Sequence, residues 1–157
     1  MKRRPLFFGK NWKSFSHTYL NRDRIEEAKK SLADFLRLES LRGKYFLDIG
    51  CGSGLFSLAA YELGASKIVS FDTDLLCVEC CKHLRKKVGN PYNWEILEGS
   101  ILDEKFLTQI EKADIVYSWG TLHHTGRIWE AIENAAKLVA PGGLFYISIY
   151  NSYICFI

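Results

Sequence analysis

The sequence predicts an α/β domain built on a parallel sheet, and three observations predict it. From Tyr45 onward, short apolar runs alternate with helix-length segments. Such alternation folds into right-handed βαβ units. The glycine-rich and polar features fall at the ends of the apolar runs, the carboxyl ends of the strands. Parallel sheets bind ligands at that edge, beside the switch in strand order. The length, 157 residues, suits one domain with one core.

Residues 1–20 are rich in aromatics and lack a clear period. Asn21 to Leu38 reads as a helix, because Ile25, Ala28, Leu32, Phe35 and Leu36 recur at steps of three and four between charged positions. Gly43 closes that unit. Tyr45 to Ile49 is a buried strand ended by Gly50, and Leu55 to Leu63 is a helix stopped by Gly64. Ile68 to Phe71 is a strand ending at Asp72. Leu75 to Val88 is a helix with a basic last turn, followed by Gly89. Trp94 to Leu97 is a strand, Asp103 to Ile110 a short helix, and Ile115 to Ser118 a strand. Ile128 to Val139 is a helix, Pro141-Gly142-Gly143 a turn, and Leu144 to Tyr150 a last strand. The expectation is a single domain over 1–157: an N-terminal helical segment (1–43), a core (44–150) and a tail (151–157).

Composition narrows the function classes. The hydrophobic content of 48% and charged content of 25% are ordinary for a soluble globular protein. The net charge of +3 does not by itself imply nucleic acid. The basic start is not followed by a signal-peptide apolar run, and no stretch of about 18 apolar residues predicts a membrane span. Five cysteines, an odd number without such a signal, read as reduced thiols in a cytoplasmic setting.

The chemistry-bearing motif is Asp48-Ile49-Gly50-Cys51-Gly52-Ser53-Gly54, between the first strand and the next helix. Glycine serves where the backbone takes positive φ or must approach a ligand closely. Amides at the following helix start favour an anionic group such as a carboxylate. The spacing is G-x-G-x-G, not the G-x-G-x-x-G that seats a pyrophosphate. Asp48, two residues before the first glycine, suits a ligand carrying an ammonium group. Asp72 ends the second strand eighteen residues after Gly54, where a carboxylate accepts bonds from ribose hydroxyls.

Together with Glu98-Gly99-Ser100-Ile101-Leu102-Asp103, Asp114 to Ser118 and Leu138 to Leu144, these residues resemble the class I, Rossmann-like methyltransferases dependent on S-adenosylmethionine (SAM). The resemblance spans about residues 44–150. It implies a three-layer α/β fold with strand order 3-2-1-4-5 and SAM as cofactor. It places Gly50, Cys51, Gly52 and Gly54 beneath the methionine part, Asp48 toward its ammonium, and Asp72 with Thr73 at the ribose. Ser100 stands where the family often has a carboxylate for the adenine amino group, so Asp103 is the alternative there. The Ile101 amide would meet the ring, and Ser118 and Trp119 would line the reactive end. Trp12 and its aromatic neighbours are either a lid over the cofactor or packing on the first helix.

His123 and His124 follow the fourth strand at the edge that faces the methyl group in the resembling family. A histidine there is placed to take a proton from the acceptor, since its ordinary pKa lies near neutrality. Methyl transfer by positioning alone needs no base. The Asn-Pro-Pro or Asp-Pro-Pro tetrapeptide of DNA amino-methyltransferases is absent; Ser118-Trp119-Gly120-Thr121 replaces it. That absence argues against N-methylation of adenine or glutamine, and the expected partner is a small-molecule acceptor, with nucleic acid not expected. Cys77, Cys80, Cys81 and His83 lie within one predicted helix and read as mostly buried side chains, so no metal site is expected. Lys82, Arg85, Lys86 and Lys87 read as a solvated helix end.

The family adds a carboxyl-terminal antiparallel hairpin that this sequence lacks. The fifth strand would then be an open edge, which invites association between copies. A truncated product, self-association and a folded-back tail all fit. Two functions follow as expectations: methyl transfer to a small acceptor, or a catalytically incomplete SAM-binding or partner-binding module.

Overall fold

The computed structural model describes residues 21–150. The aromatic segment with Trp12, and the tail at 151–157, lie outside the described residues. The first described helix, α1 (Arg22–Leu36), begins where the Asn21 side chain accepts from the Arg24 N–H at 3.0 Å, a standard N-cap. It ends at Arg37 in the left-handed region. Then follow β1 (Tyr45–Ile49), α2 (Leu55–Glu62), β2 (Lys67–Asp72), α3 (Leu75–Lys87), β3 (Trp94–Glu98), α4 (Glu104–Leu107), β4 (Ala113–Trp119), a 3-10 turn (Leu122–His124), α5 (Ile128–Lys137) and β5 (Val139–Ser148).

The five strands form one parallel sheet in the order β3-β2-β1-β4-β5. Alternate residues point to opposite faces, and two cores result. Phe46, Ile68, Trp94, Ile115 and Tyr117 join Leu32, Leu58, Val78 and Leu84 beneath α1, α2 and α3. Leu47, Val69, Phe71 and Val116 join Ile101, Ala131 and Ala135 beneath α5 and the β3–α4 loop. β1 is buried along its whole length, which fits its central place and near-continuous apolar sequence.

The largest boundary difference from the sequence reading lies between the last helix and the last strand. The helix at 128 stops at Lys137, and β5 already begins at Val139. Val139 pairs with Ala113 and Leu144 with Ile115, so residues 140–143 bulge out of the ladder. Gly142 has φ +74°, and a Cβ on Gly143 would stand 2.8 Å from the Asp114 carbonyl oxygen. The predicted turn is there, but it interrupts the strand instead of preceding it.

Cys77, Cys80 and Cys81 are buried on α3, and His83 is exposed on it. At the end of α3 Arg85 donates to the Trp94 carbonyl and to Asn90, tying the helix to β3. Part of the basic cluster is therefore structural. Among the described residues no helix is long and apolar enough to cross a membrane.

Candidate functional site

The sheet order reverses between β1 and β4, and the site lies at their carboxyl ends. Register pairing of these strands stops at Asp48 with Tyr117. Beyond it, the Ser118 hydroxyl donates to the Ile49 carbonyl at 3.0 Å. This bond satisfies a buried acceptor that the separating strands leave unpaired. Thr121 continues the seam, donating to the carbonyls of Trp119 and Gly50 at 3.2 and 3.4 Å.

The glycine turn is shaped for close approach. Gly50, Gly52 and Gly54 all have positive φ, at +73°, +54° and +82°. The Gly50 and Cys51 amides donate to the Phe71 carbonyl, and Gly54 donates to Cys51. A Cβ on Gly50 would stand 2.2 Å from Thr121 Cγ2, and one on Gly54 2.6 Å from Cys81 Sγ. The Cys51 thiol is pushed well up by its hydrogen bond to Cys81 and by burial, so it is a packing group and not a nucleophile.

Asp72 meets this turn from the end of β2, on the other side of β1 from β4. Its carboxylate accepts from the Gly52 N–H at 3.0 Å and the Asp74 N–H at 2.9 Å, while the exposed Thr73 lends its backbone as well. Burial raises its pKa, and these backbone donors pull the other way. The acid thus fastens the turn to β2 and stays partly open to the crevice.

Asp48 is only 3% exposed and points to the α2 side of the sheet. Ser57 Oγ on α2 donates to its Oδ2 at 2.5 Å. Ser57 Oγ and Ser70 Oγ on β2 are 2.7 Å apart, and Trp94 Nε1 on β3 donates to Ser70 Oγ at 2.9 Å. Burial pushes the Asp48 carboxyl up to about 7, the Ser57 hydrogen bond opposes this, and Asp72 adds to the rise.

After β3, Ser100 Oγ accepts from the Leu102 N–H and Asp103 caps α4 through the Phe106 N–H. Ile101 is buried, and its carbonyl accepts from the Asn134 side chain at 3.0 Å. This loop is therefore pinned to α5, with both candidate adenine-side polar groups engaged by backbone.

Trp119 stacks at 5.8 Å on Phe56 and at 6.1 Å on Tyr146, on the α1–α2 face. His123 and His124 lie 3.9 Å apart, with Tyr150 edge-on to His123 at 5.4 Å. Burial lowers the pKa of both, and His124 lowers His123 further, so both are neutral near pH 7. Among the described residues, two buried side-chain polar atoms lack a partner, Tyr117 Oη and His123 Nδ1. Tyr117 lies within β4, and His123 lies in the 3-10 turn that follows it. An unmade hydrogen bond there costs about 1–3 kcal/mol, and a polar ligand would relieve it.

The donor set fits SAM. Asp48 is a buried carboxyl with Asp72 beside it, and a cationic group would balance that pair. Asp72 lies at the neighbouring strand end with a partly open carboxylate. The turn between them leaves no room for a Cβ at Gly50 or Gly54.

Sequence reading missed Ser57, Ser70, Trp94, Tyr117, Thr121 and Asn134. Ser70 carried a signal, a lone hydroxyl inside the apolar run Ile68 to Phe71. The rest looked like ordinary core or loop residues.

Comparison with known proteins adds three findings. Residues 20–154 match the family model described as a methyltransferase domain. The ubiquinone biosynthesis O-methyltransferase of Rhizobium rhizogenes is 32% identical over 111 residues, which is 71% of this chain and 43% of that protein. The chain thus spans about half the length of the curated relatives it matches, or less. Among solved structures, a Methanococcus maripaludis protein provisionally assigned as a SAM-dependent methyltransferase superposes with a TM-score of 0.72 at 18% identity, over 94% of this chain and 67% of that one. A SAM-dependent methyltransferase from Thiobacillus denitrificans in complex with S-adenosylhomocysteine gives 0.62 at 21% identity, over 88% and 53%.

Proposed function

Because the chain belongs to the class I SAM-dependent methyltransferase domain family, we propose that it binds SAM in the crevice between β1 and β4 and transfers its methyl group to a hydroxyl of a small acceptor. The observation that carries this reading is the pairing of Asp72 with the glycine turn, through Gly52, at the strand-order switch. O-methylation is favoured by the O-methyltransferases among the relatives.

When bound, SAM supplies an electrophilic methyl on a sulfonium. Asp72 accepts the ribose hydroxyls while holding the turn, and Asp48 balances the ammonium. Ser118 and Thr121 keep the β4 segment in place over the crevice. His123, neutral and with Nδ1 shielded and unpartnered, takes the acceptor's proton as the new bond forms. His124 packs against it and helps to keep it neutral.

Asp72→Ala is expected to weaken SAM binding by about tenfold or more, since hydrogen bonds to a charged group are worth about 1.5–3 kcal/mol. Calorimetry with SAM and S-adenosylhomocysteine checks it, and unchanged affinity refutes the ribose assignment. His123→Ala is expected to lower kcat about 100-fold, the typical weight of a general base, with SAM affinity kept. Because burial lowers the His123 pKa, the acid limb of the wild-type pH–rate profile should fall below the usual histidine range and vanish in the variant. A profile that keeps this limb would show that methyl transfer proceeds by positioning alone.

A second reading rests on β5, which pairs only with β4 among the described strands, carries the exposed Leu144 and is followed by the exposed Ile149 and Tyr150. In that reading the chain is a SAM-binding module that associates with a second copy through this edge. SAM binding with no S-adenosylhomocysteine formed from it in the presence of any acceptor would favour it.

A further inference from the structure

We infer that Ser57, Ser70 and Trp94 form a proton-ordered hydrogen-bond wire that holds Asp48 as a carboxylate for the ammonium of the bound cofactor, which makes Trp94, on the outer strand β3, a positioning residue for SAM. This rests on the SAM-binding reading above.

The order of protons follows from the two ends. The indole Nε1–H only donates, and a carboxylate only accepts. Each serine has one proton. Ser57 must therefore give its proton to Asp48, Ser70 must give its own to Ser57, and Ser70 receives the indole N–H. No other arrangement satisfies all three contacts of 2.5, 2.7 and 2.9 Å when Asp48 is ionised. The 2.5 Å contact is in the range of hydrogen bonds to a charged oxygen. Ser57 and Ser70 are 0% exposed, as is Trp94, so water does not compete. Linked donors polarise one another in such surroundings.

What surrounds Asp48 gives the wire its purpose. Ser70 lies beside it on β2 and Tyr117 on β4, with Asp72 at the end of β2 and Cys51 in the turn backed by Cys81 of α3. α2 contributes the Ser57 hydroxyl and N–H. Of the titratable neighbours, Tyr117 is raised by burial and Cys51 by its hydrogen bond to Cys81 and by burial, so both stay neutral; Asp72 is the second carboxyl, and none is a cation. The charge on Asp48 is thus sustained from one side by aligned donors, and on the ligand side by a cation.

Trp94→Phe keeps the buried ring and its stacking on Tyr61 but removes the donor. Ser70→Ala cuts the wire in the middle. SAM affinity of the full chain is to be measured by calorimetry from pH 6 to 9. Without the wire the carboxylate is less favoured, so the acid limb of affinity moves to higher pH. We expect losses of about threefold for Trp94→Phe and about tenfold for Ser70→Ala at pH 7, the latter equal to about 1.4 kcal/mol. The affinities should converge with wild type at pH 9. A loss equal at every pH, or no loss, overturns the inference. The carbon-13 titration of the Asp48 carboxyl in ligand-free protein provides a second readout, with an upward shift expected in Trp94→Phe. An unmoved titration overturns the wire whether or not SAM binds. Absence of SAM binding by wild type at every pH overturns the function reading instead. If Ser70→Ala does not fold, Trp94→Phe decides.

Discussion

Gly50→Ala is expected to weaken SAM binding by about tenfold or more and to lower the melting temperature by roughly 4–20 °C. Two costs add. A residue with a Cβ at φ +73° pays about 1–2 kcal/mol. The Cβ would also stand 2.2–2.7 Å from the Cγ2, Oγ1 and Cβ atoms of Thr121, and overpacking costs typically 1–3 kcal/mol. One kcal/mol moves the melting temperature of a domain this size by about 2–4 °C. Thr121 is short and cannot swing clear. It must shift with its backbone, which carries Trp119 on one side and His123 on the other. The crevice opens as a result, and binding suffers beyond the loss of stability. Thr121→Gly should restore part of the loss when combined with Gly50→Ala, because it removes the steric cost and leaves the backbone cost. A double-mutant cycle on melting temperature and SAM affinity measures that coupling. Additive effects would show that the two residues do not press on each other.

This same contact marks the limit of what the sequence discloses. The alternation of apolar runs and helices, and the G-x-G-x-G spacing, were legible because they are local. Strand order followed from the resemblance those motifs carry, and the structure has it. Gly50 could be read as a turn glycine, but its contact with Thr121, seventy-one residues later, depends on β1 and β4 lying side by side. Ser57, Ser70 and Trp94 likewise come from three separate elements and meet only on the folded sheet. Ser100 and Asp103 show the reverse case. Each accepts one local backbone N–H, from Leu102 and Phe106, a fixing of the loop that their place in the sequence did not disclose. Asp48 was legible as an acid near the turn, but not as one enclosed beside a second carboxyl, Asp72. Its burial is set by α2 and β2, and sequence alone does not give that.

Asp48→Asn is expected to raise the stability of the ligand-free protein above pH 7 while lowering its affinity for SAM. Burial lifts the Asp48 carboxyl from 3.8 to about 7. A folded pKa above the unfolded value means that the contribution to stability is fully present below the unfolded pKa, and is lost as pH rises through the folded one. Ligand-free wild type should therefore lose stability between about pH 4 and 7 relative to the variant, and the gap should be constant above that. Three pKa steps correspond to about 4 kcal/mol at 1.36 kcal/mol each. The new amide N–H groups need partners among the acids and hydroxyls around them, which takes back part of that gain, so a rise of roughly 5 °C at pH 8 is expected. The ammonium of SAM meanwhile loses its counter-charge, and a charged hydrogen bond of about 1.5–3 kcal/mol corresponds to roughly a 10- to 150-fold loss of affinity. Opposite signs in the two measurements are what a charge kept for a ligand should give. An acid kept for the fold would lose stability on neutralisation and leave binding unchanged, and melting curves and calorimetry on the one variant would show which of the two holds. If the sign on stability is as expected, the Ser57, Ser70 and Trp94 donors only lessen the cost of the charge, and bound SAM offsets the rest.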